Sequence, residues 1–221
     1  LQNVAIPDGV VEIGEEAFEH CTLLSSVAIP DSVERIGNGA FLGCNNALYD
    51  YDTIKGVCLV DGWAIDSTDE LPTELNLAGC RGIGDRAFIG RTGLTSVVIP
   101  EGVVAVEDYA FSSCRSLSSV NIPDSVKRIG EGAFSDCNSA LYDYDTIKGV
   151  CLVDGWAISP VEKSELPAIL NLSGCRGIGD FAFSGCFDLG RVTIGSETKV
   201  IGDGAFNYCY HLGTSRFPKA L

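Results

Sequence analysis

The chain has 221 residues, 30 of them acidic and 15 basic, for a formal net charge of −15 at pH 7. That balance argues against a nucleic-acid partner, which is held by clustered Lys and Arg, and against an anionic membrane face. With 46% hydrophobic and 20% charged residues the composition is that of a folding chain, and no apolar run approaches the roughly 18–20 residues that span a bilayer as a helix.

From the N-terminus onward the sequence repeats itself. A strand phrase reads Leu24-x-x-Val27-x-Ile29-Pro30 and returns as Leu94-x-x-Val97-x-Ile99-Pro100 and Leu117-x-x-Val120-x-Ile122-Pro123. Alternation at period two buries one face of a strand, and the Pro ends it because it cannot donate to a ladder. A second apolar stretch, Val-x-x-Ile-Gly, follows on the opposite side of the coil. Then comes the pair Ala-Phe, with the Phe at positions 18, 41, 88, 111, 134, 183 and 206, in steps of 23, 47, 23, 23, 49 and 23. The two long steps are close to twice 23, so each holds a degenerate rung. Gly stands four residues before each Phe, except at Glu107, and Cys three residues after it, except at Arg91.

One rung alone has nothing to bury its apolar side chains against, so stability must come from stacking. Ten rungs begin near Leu1, Leu24, Ala47, Leu71, Leu94, Leu117, Ala140, Leu166, Leu189 and Leu212. At a spacing of about 4.8 Å they predict a rod on the order of 45–50 Å long, with stacked Phe rings as its spine. A longer period overlies the first: Tyr49 to Ile65 and Tyr142 to Ile158 are the same seventeen letters, 93 residues apart. Within each copy Asp61-Gly62 and Asp154-Gly155 separate two apolar runs, the signature of a two-residue hairpin turn. The expected organisation is a single domain over 1–221. Plain rungs occupy 1–46, 71–139 and 166–221, the last incomplete, and hairpin-bearing rungs occupy 47–70 and 140–165.

The phrase Leu-x-x-Val-x-Ile-Pro-(Asp/Glu)-(Ser/Gly)-Val-x-x-Ile-Gly-x-x-Ala-Phe-x-x-Cys resembles the BspA-like, Treponema-type leucine-rich repeat, over essentially the whole chain. The resemblance implies a leucine-rich-repeat solenoid, mainly β with short turns and 3-10 segments. It further implies a secreted or cell-surface protein of host-associated bacteria, acting in adhesion or host-protein binding. The matching positions are core positions, so the motif specifies fold far more than function.

Chemical signals are few. Six Cys share one repeat position and are expected as a ladder of free, buried thiols, since their Cβ vectors point the same way and disfavour bridging. There is no CxxC and there are only two His, so zinc has little support. Gly82-x-Gly84-x-x-Ala87 and its copy at Gly177 match a dinucleotide fingerprint by accident of the repeat, with no helix following. His20 and His211 lie at opposite ends of the coil and cannot meet in a catalytic set. Asp50, Asp52 and Asp61, with Asp143, Asp145 and Asp154, are too few for the six to eight oxygens calcium takes. No cofactor, metal or catalytic residue is expected.

A partner is expected on the strand face, the concave surface of most leucine-rich repeats. Ser26, Asn76, Ser96, Ser119, Asn121, Asn171, Arg191 and Thr193 point outward there, and the column continues to Thr214 and Arg216. The hairpin segments add Tyr49, Tyr51 and Trp63 and their copies Tyr142, Tyr144 and Trp156, since such aromatics are enriched at binding hot spots. For each Trp, packing of the hairpin onto the solenoid is the stronger reading.

Both ends cut through a repeat without a polar capping rung, so the chain is expected to be part of a longer protein or to self-associate end to end. Any targeting segment is expected to have been removed or to lie outside it. The leading reading is therefore a non-enzymatic adhesion module that binds a host or neighbouring-cell protein or glycan, with no nucleic acid and no membrane insertion. The alternative is a passive spacer or self-assembling rod.

Overall fold

Each Leu-x-x-Val-x-Ile phrase forms a short strand that pairs in parallel with the phrase one turn on. Asn3–Ala5 pairs with Ser26–Ala28, Ser96–Val98 lies between Glu74–Asn76 and Ser119–Asn121, and Ile169–Leu172 pairs with Arg191–Ile194. Val97 faces both Leu75 and Val120, so the central residues point inward together. The Ile-Gly phrases make a second column of two-residue strands, from Glu12–Ile13 and Arg35–Ile36 through Gly82–Ile83, Ala105–Val106 and Arg128–Ile129 to Gly177–Ile178 and Val200–Ile201. The computed structural model describes residues 2–213, which wind into a β-solenoid of nine turns. Leu1, Thr214 and Arg216 lie outside the described residues, as does most of the rung expected from Leu212.

The Ala-Phe turns also form a ladder. Where Ala-Phe turns stand on adjacent rungs, the Phe N–H donates to the Ala carbonyl of the next: Phe18 to Ala40, Phe88 to Ala110, Phe111 to Ala133 and Phe183 to Ala205, at 2.7–2.8 Å. Their rings stack at 5.0–5.5 Å with interplanar angles of 5–8°. The repeat cysteines are free thiols. The Sγ of Cys44, Cys114, Cys137 and Cys209 donates to the carbonyl of Phe18, Phe88, Phe111 and Phe183 respectively, which gives this position its preference for a small weak donor.

The expected single spine is broken into three. The Phe stack stops after Phe41 and again after Phe134, and the apolar core falls into three clusters at the same places. Each break is a hairpin. Val57–Val60 pairs antiparallel with Trp63–Ser67 around Asp61 and Gly62, whose φ of 46° and 81° make a turn of the I′ kind. Val57–Val60 is wholly buried, so the hairpin is a wedge within the stack rather than an ornament on its edge. Trp63–Ser67 takes the short-strand place of the third rung, pairing in parallel with Gly82–Ile83. In the long-strand column that rung has only the 3-10 turn Asn46–Leu48, where a strand was expected near Ala47; Ser139–Leu141 repeats this near Ala140.

A straight rod does not result. Each hairpin rung is thick at the hairpin and has no Ala-Phe turn, so the next rung closes over it. Gly84 N–H reaches Ala64 O at 2.8 Å while Asp85 N–H reaches Ile36 O, a rung further back, at 3.4 Å; Gly179 and Asp180 do the same to Ala157 and Ile129, both at 2.9 Å. Two like bends curl the stack with the short-strand column inside, not the long-strand face. Lys127 Nζ lies 3.0 Å from Glu34 Oε1, joining the second rung to the sixth, and Arg35 Nη1 lies 3.5 Å from Asp203 Oδ2, joining the second rung to the ninth. On a straight stack the second and ninth rungs would be about 34 Å apart. Within the curl Arg128 pairs with Glu107, with Asp108 at 2.9 Å and with Asp180 at 2.6 Å. Glu107 is 3% exposed, and its burial pushes the carboxyl up to about 8 although Arg128 and Arg35 flank it.

Candidate functional site

The segment that builds each hairpin is the segment that has no Ala-Phe turn, and a cleft stands where the turn would be. The first has a volume of about 530 Å³ and lies between the turn of the second rung (37–43) and that of the fourth (84–89), floored by the hairpin. The second, about 390 Å³, lies between 130–135 and 179–182. The two are related by the long repeat, but their walls have diverged. Leu42 and Ile89 of the first correspond to Ser135 and Ser184 of the second, and Arg86 corresponds to Phe181. At the first cleft Leu42 is 57% exposed, Tyr51 50% and Ile89 43%, an apolar and aromatic rim of the kind that anchors partners.

Charge at the first cleft is acidic. Asp66 and Asp85 line it, but Asp85 is offset by Arg86, which pairs with it at 2.8 Å and lies 5.1 Å over the Tyr109 ring, so the excess is one carboxylate, that of Asp66. Burial lifts the Asp85 carboxyl to about 6, against the lowering effect of Arg86.

The hairpin aromatics separate into three roles. Trp63 and Trp156 are 0% and 3% exposed and offer nothing to a partner. Their indoles lie flat on Gly82 and Gly177, where a Cβ would sit 2.3 and 2.5 Å from ring carbons. That close approach explains the first glycine of the accidental dinucleotide pattern. Tyr49 and Tyr142 are half-buried, and each hydroxyl donates to a Phe carbonyl (Phe41, Phe134) at 2.6 Å and accepts a Cys N–H (Cys44, Cys137) at 3.0 Å, which ties the 3-10 turn to the preceding rung. Only Tyr51 and Tyr144 remain exposed, and burial followed by its bond to Cys58 holds the Tyr51 hydroxyl at about 12, as a neutral donor.

On the long-strand column Ser26, Asn76, Ser119, Asn121, Asn171 and Arg191 are exposed and Ser96 and Thr193 half-buried. The 3-10 turns divide them into three patches rather than one column. Several are occupied within the chain. Asn121 accepts the Ile99 N–H at 3.1 Å and donates to the Ile99 carbonyl at 2.9 Å, and Asn76 and Asn171 each accept a backbone N–H two residues on. Of the aspartates considered for a cation, Asp50 and Asp61 and their copies Asp143 and Asp154 are likewise engaged. Asp50 is held below the usual carboxylate range by Thr53 and accepts the Asp52 N–H, while Asp61 binds Ile29 on the other side of the hairpin. Among the described residues no three His, Cys, Asp or Glu gather as metal ligands.

Sequence reasoning missed the clefts, although their signal was present in the long Phe-to-Phe steps, which say that two turns are missing. It also read Glu107 only as the exception to the Gly position, without seeing that this is the acid buried in the curl.

A family model for the BspA-type leucine-rich repeat region matches six copies along the chain, over residues 1–55, 73–148 and 162–221. The chain belongs to this family. The stretches the BspA-type model leaves out, 56–72 and 149–161, are the two hairpins with the residues just after them. Solved structures similar to this BspA-type chain include a leucine-rich cell surface protein from Faecalibacterium prausnitzii, 25% identical with a TM-score of 0.35, covering 98% of this chain and 69% of that one. A leucine-rich repeat protein from T. pallidum is 29% identical at a TM-score of 0.33, covering 96% and 78%. The pneumococcal vaccine antigen PcpA is 14% identical at 0.36, covering all of this chain and 61% of its own, so the chain spans less than two thirds of that protein. Among curated proteins none matches the chain.

Proposed function

We propose that this BspA-type repeat is a non-enzymatic protein-recognition module displayed at a bacterial cell surface, where it adheres to a host or neighbouring-cell protein or glycan. Surface display and adhesion are what the repeat family implies. The observation that carries the reading is the first cleft, where Leu42, Tyr51 and Ile89 are exposed together at one opening in a chain whose other large apolar side chains mostly stack inside. The spacer reading draws less support, because a curl that joins the second rung to the ninth shortens the reach a rod would offer.

The test is a binding screen against extracellular-matrix proteins and mucin glycans with the intact chain. Tyr51→Ala and Leu42→Ala should each weaken any saturable interaction by about tenfold, in the range of single hot-spot truncations. Ser119→Arg and Arg191→Ala probe the strand-face patches instead. A partner whose affinity none of the four substitutions alters removes both surfaces from the assignment.

A further inference from the structure

Every second peptide of an Ala-Phe turn points the same way along the coil. Glu16, Phe18 and His20 donate to Asn38, Ala40 and Leu42 of the next turn, and Arg86, Phe88 and Gly90 donate to Asp108, Ala110 and Ser112. A turn therefore has one face of N–H groups and an opposite face of carbonyls, unlike a strand, which shows both groups on each edge. At the first cleft both faces are bare. Gly39, Phe41 and Gly43 present N–H groups that no described residue accepts, although Phe41 is only 1% exposed, and folded chains seldom leave such donors unpaired. Opposite stand the carbonyls of Asp85, Ala87 and Ile89. The Ser67 hydroxyl takes Ala87 at 2.7 Å, and no described residue donates to the other two.

An occupant of this opening has to accept hydrogen bonds on one side and donate them on the other. An extended peptide alternates the two on each edge and fits neither wall. An anion answers the donors but meets bare carbonyls and the uncompensated Asp66, whose Oδ1 accepts the Ser67 N–H at 2.7 Å and whose Oδ2 has no partner among the described residues. A cation fails against the donors. A hydroxyl does both, with one proton to give and two lone pairs to offer. Asp66 and the side-chain amides of Asn38 and Asn46 line the same space and extend the set of partners for hydroxyls. At the rim the exposed Leu42, Tyr51 and Ile89 ask for an apolar surface on the same ligand. A pyranose ring combines the two, with hydroxyls around its edge and C–H groups on its face. We propose that the first cleft binds a neutral saccharide unit of a partner's surface glycan, its edge hydroxyls bridging the N–H wall to the carbonyl wall and its C–H face lying against Tyr51 and Ile89. The cleft volume of about 530 Å³ suits such a unit, lying within the range of about 300–1,000 Å³ of small-molecule sites. The second cleft is a poorer host. Its donors at Gly132, Phe134 and Asp136 are equally unpaired, but Lys163 Nζ already occupies the Ser184 carbonyl at 2.6 Å, and Ser135 and Ser184 replace the apolar rim.

This inference rests on the recognition-module reading, and its experiment tells the two failures apart. The probes are maltotriose, cellotriose, chitotriose and lactose, titrated into the whole chain and followed by backbone amide NMR. At least one should bind saturably and shift the amide resonances of Gly39, Phe41 and Gly43. Tyr51→Ala, Ile89→Ala or Asp66→Ala should each lower that affinity about tenfold, while Ser135→Ala in the second cleft leaves it unchanged. Two analogues of the bound sugar test its chemistry: the fully O-methylated form accepts hydrogen bonds but cannot donate them, and a form ending in a uronic acid brings a negative charge to Asp66. Each should bind at least about tenfold more weakly. Equal binding of the methylated form overturns the bridging hydroxyls, and equal binding of the uronate overturns the neutral ligand. Shifts confined to other amides overturn the site. No sugar binding, beside a matrix protein that still depends on Tyr51, overturns the saccharide and leaves the recognition reading standing; no sugar and no Tyr51-dependent partner overturns both.

Discussion

Asp61 stands in for a missing strand, its Oδ2 accepting the backbone N–H of Ile29 at 2.6 Å. The rung after Ile29 has no strand in the long-strand column, and Arg81 completes the substitution by donating to the Ile29 carbonyl at 3.0 Å. Asp154 and Arg176 repeat it at Ile122, at 2.6 and 2.9 Å. The turn residue chosen for its left-handed backbone is thus also the plug for an open strand edge.

Removing that acceptor exposes its worth. Asp61→Ala should lower stability by about 1–2 kcal/mol, because it strands a partly buried N–H. Asp61→Asn keeps an acceptor and a tolerance for positive φ and should cost less than half as much. Urea midpoints of the two variants decide the point, and equal midpoints would show that the bond contributes nothing.

Gly82→Ala drives a methyl into the Trp63 indole, since the new Cβ would stand 2.3 Å from a ring carbon. Overpacking of this kind costs about 1–3 kcal/mol. Gly93→Ala is the control, because nothing lies within 4 Å of its Cβ position, and its thermal midpoint should stay within a degree or two of the parent's, as for ordinary surface changes. A neutral Gly82→Ala would mean that the indole is free to move.

Stability should fall as pH rises from about 4.5 to about 8, the interval between the ordinary Glu107 value and its raised one. The folded chain holds this proton where the unfolded chain has released it, so the contribution is complete below the lower value and gone above the upper. Glu107→Gln abolishes the titration, and its urea midpoint should vary less between pH 5 and 8 than the parent's. Parallel profiles for the two proteins would refute the assignment.

Burial pushes the thiols of Cys58, Cys114 and Cys175 up to about 11 and that of Cys80 up to about 12. Alkylation proceeds through the thiolate, so iodoacetamide at pH 8 should leave these four unmodified in the folded chain under conditions that alkylate all ten cysteines in urea. Mass mapping reads the result, and rapid labelling of Cys80 in the folded state would mean the rungs open locally.

The repeat carried the rungs, the two columns, the hairpins and the thiol ladder into plain view, because each follows from a period and a side-chain type. The curl did not show in the sequence. It depends on Gly84 and Asp85 reaching two different earlier rungs, and on Arg35 meeting Asp203, which are consequences of rungs of unequal thickness. The candidate surface was legible only in part. Tyr51 was singled out for its chemistry, whereas Leu42 and Ile89 read as ordinary loop positions until the missing turn brought them to one opening. Asn121 was misleading in the opposite sense, since its amide mends the edge at Ile99 within the chain.

The two hairpin junctions present nearly interchangeable mating surfaces, Val60 with Trp63 in one and Val153 with Trp156 in the other. Excision or duplication of the 93-residue unit between them by unequal recombination would rejoin surfaces that already fit. Such a lineage can lengthen or shorten by whole cassettes, each adding one bend and one opening, and the opening's lining is free to drift while the scaffold around it stays fixed.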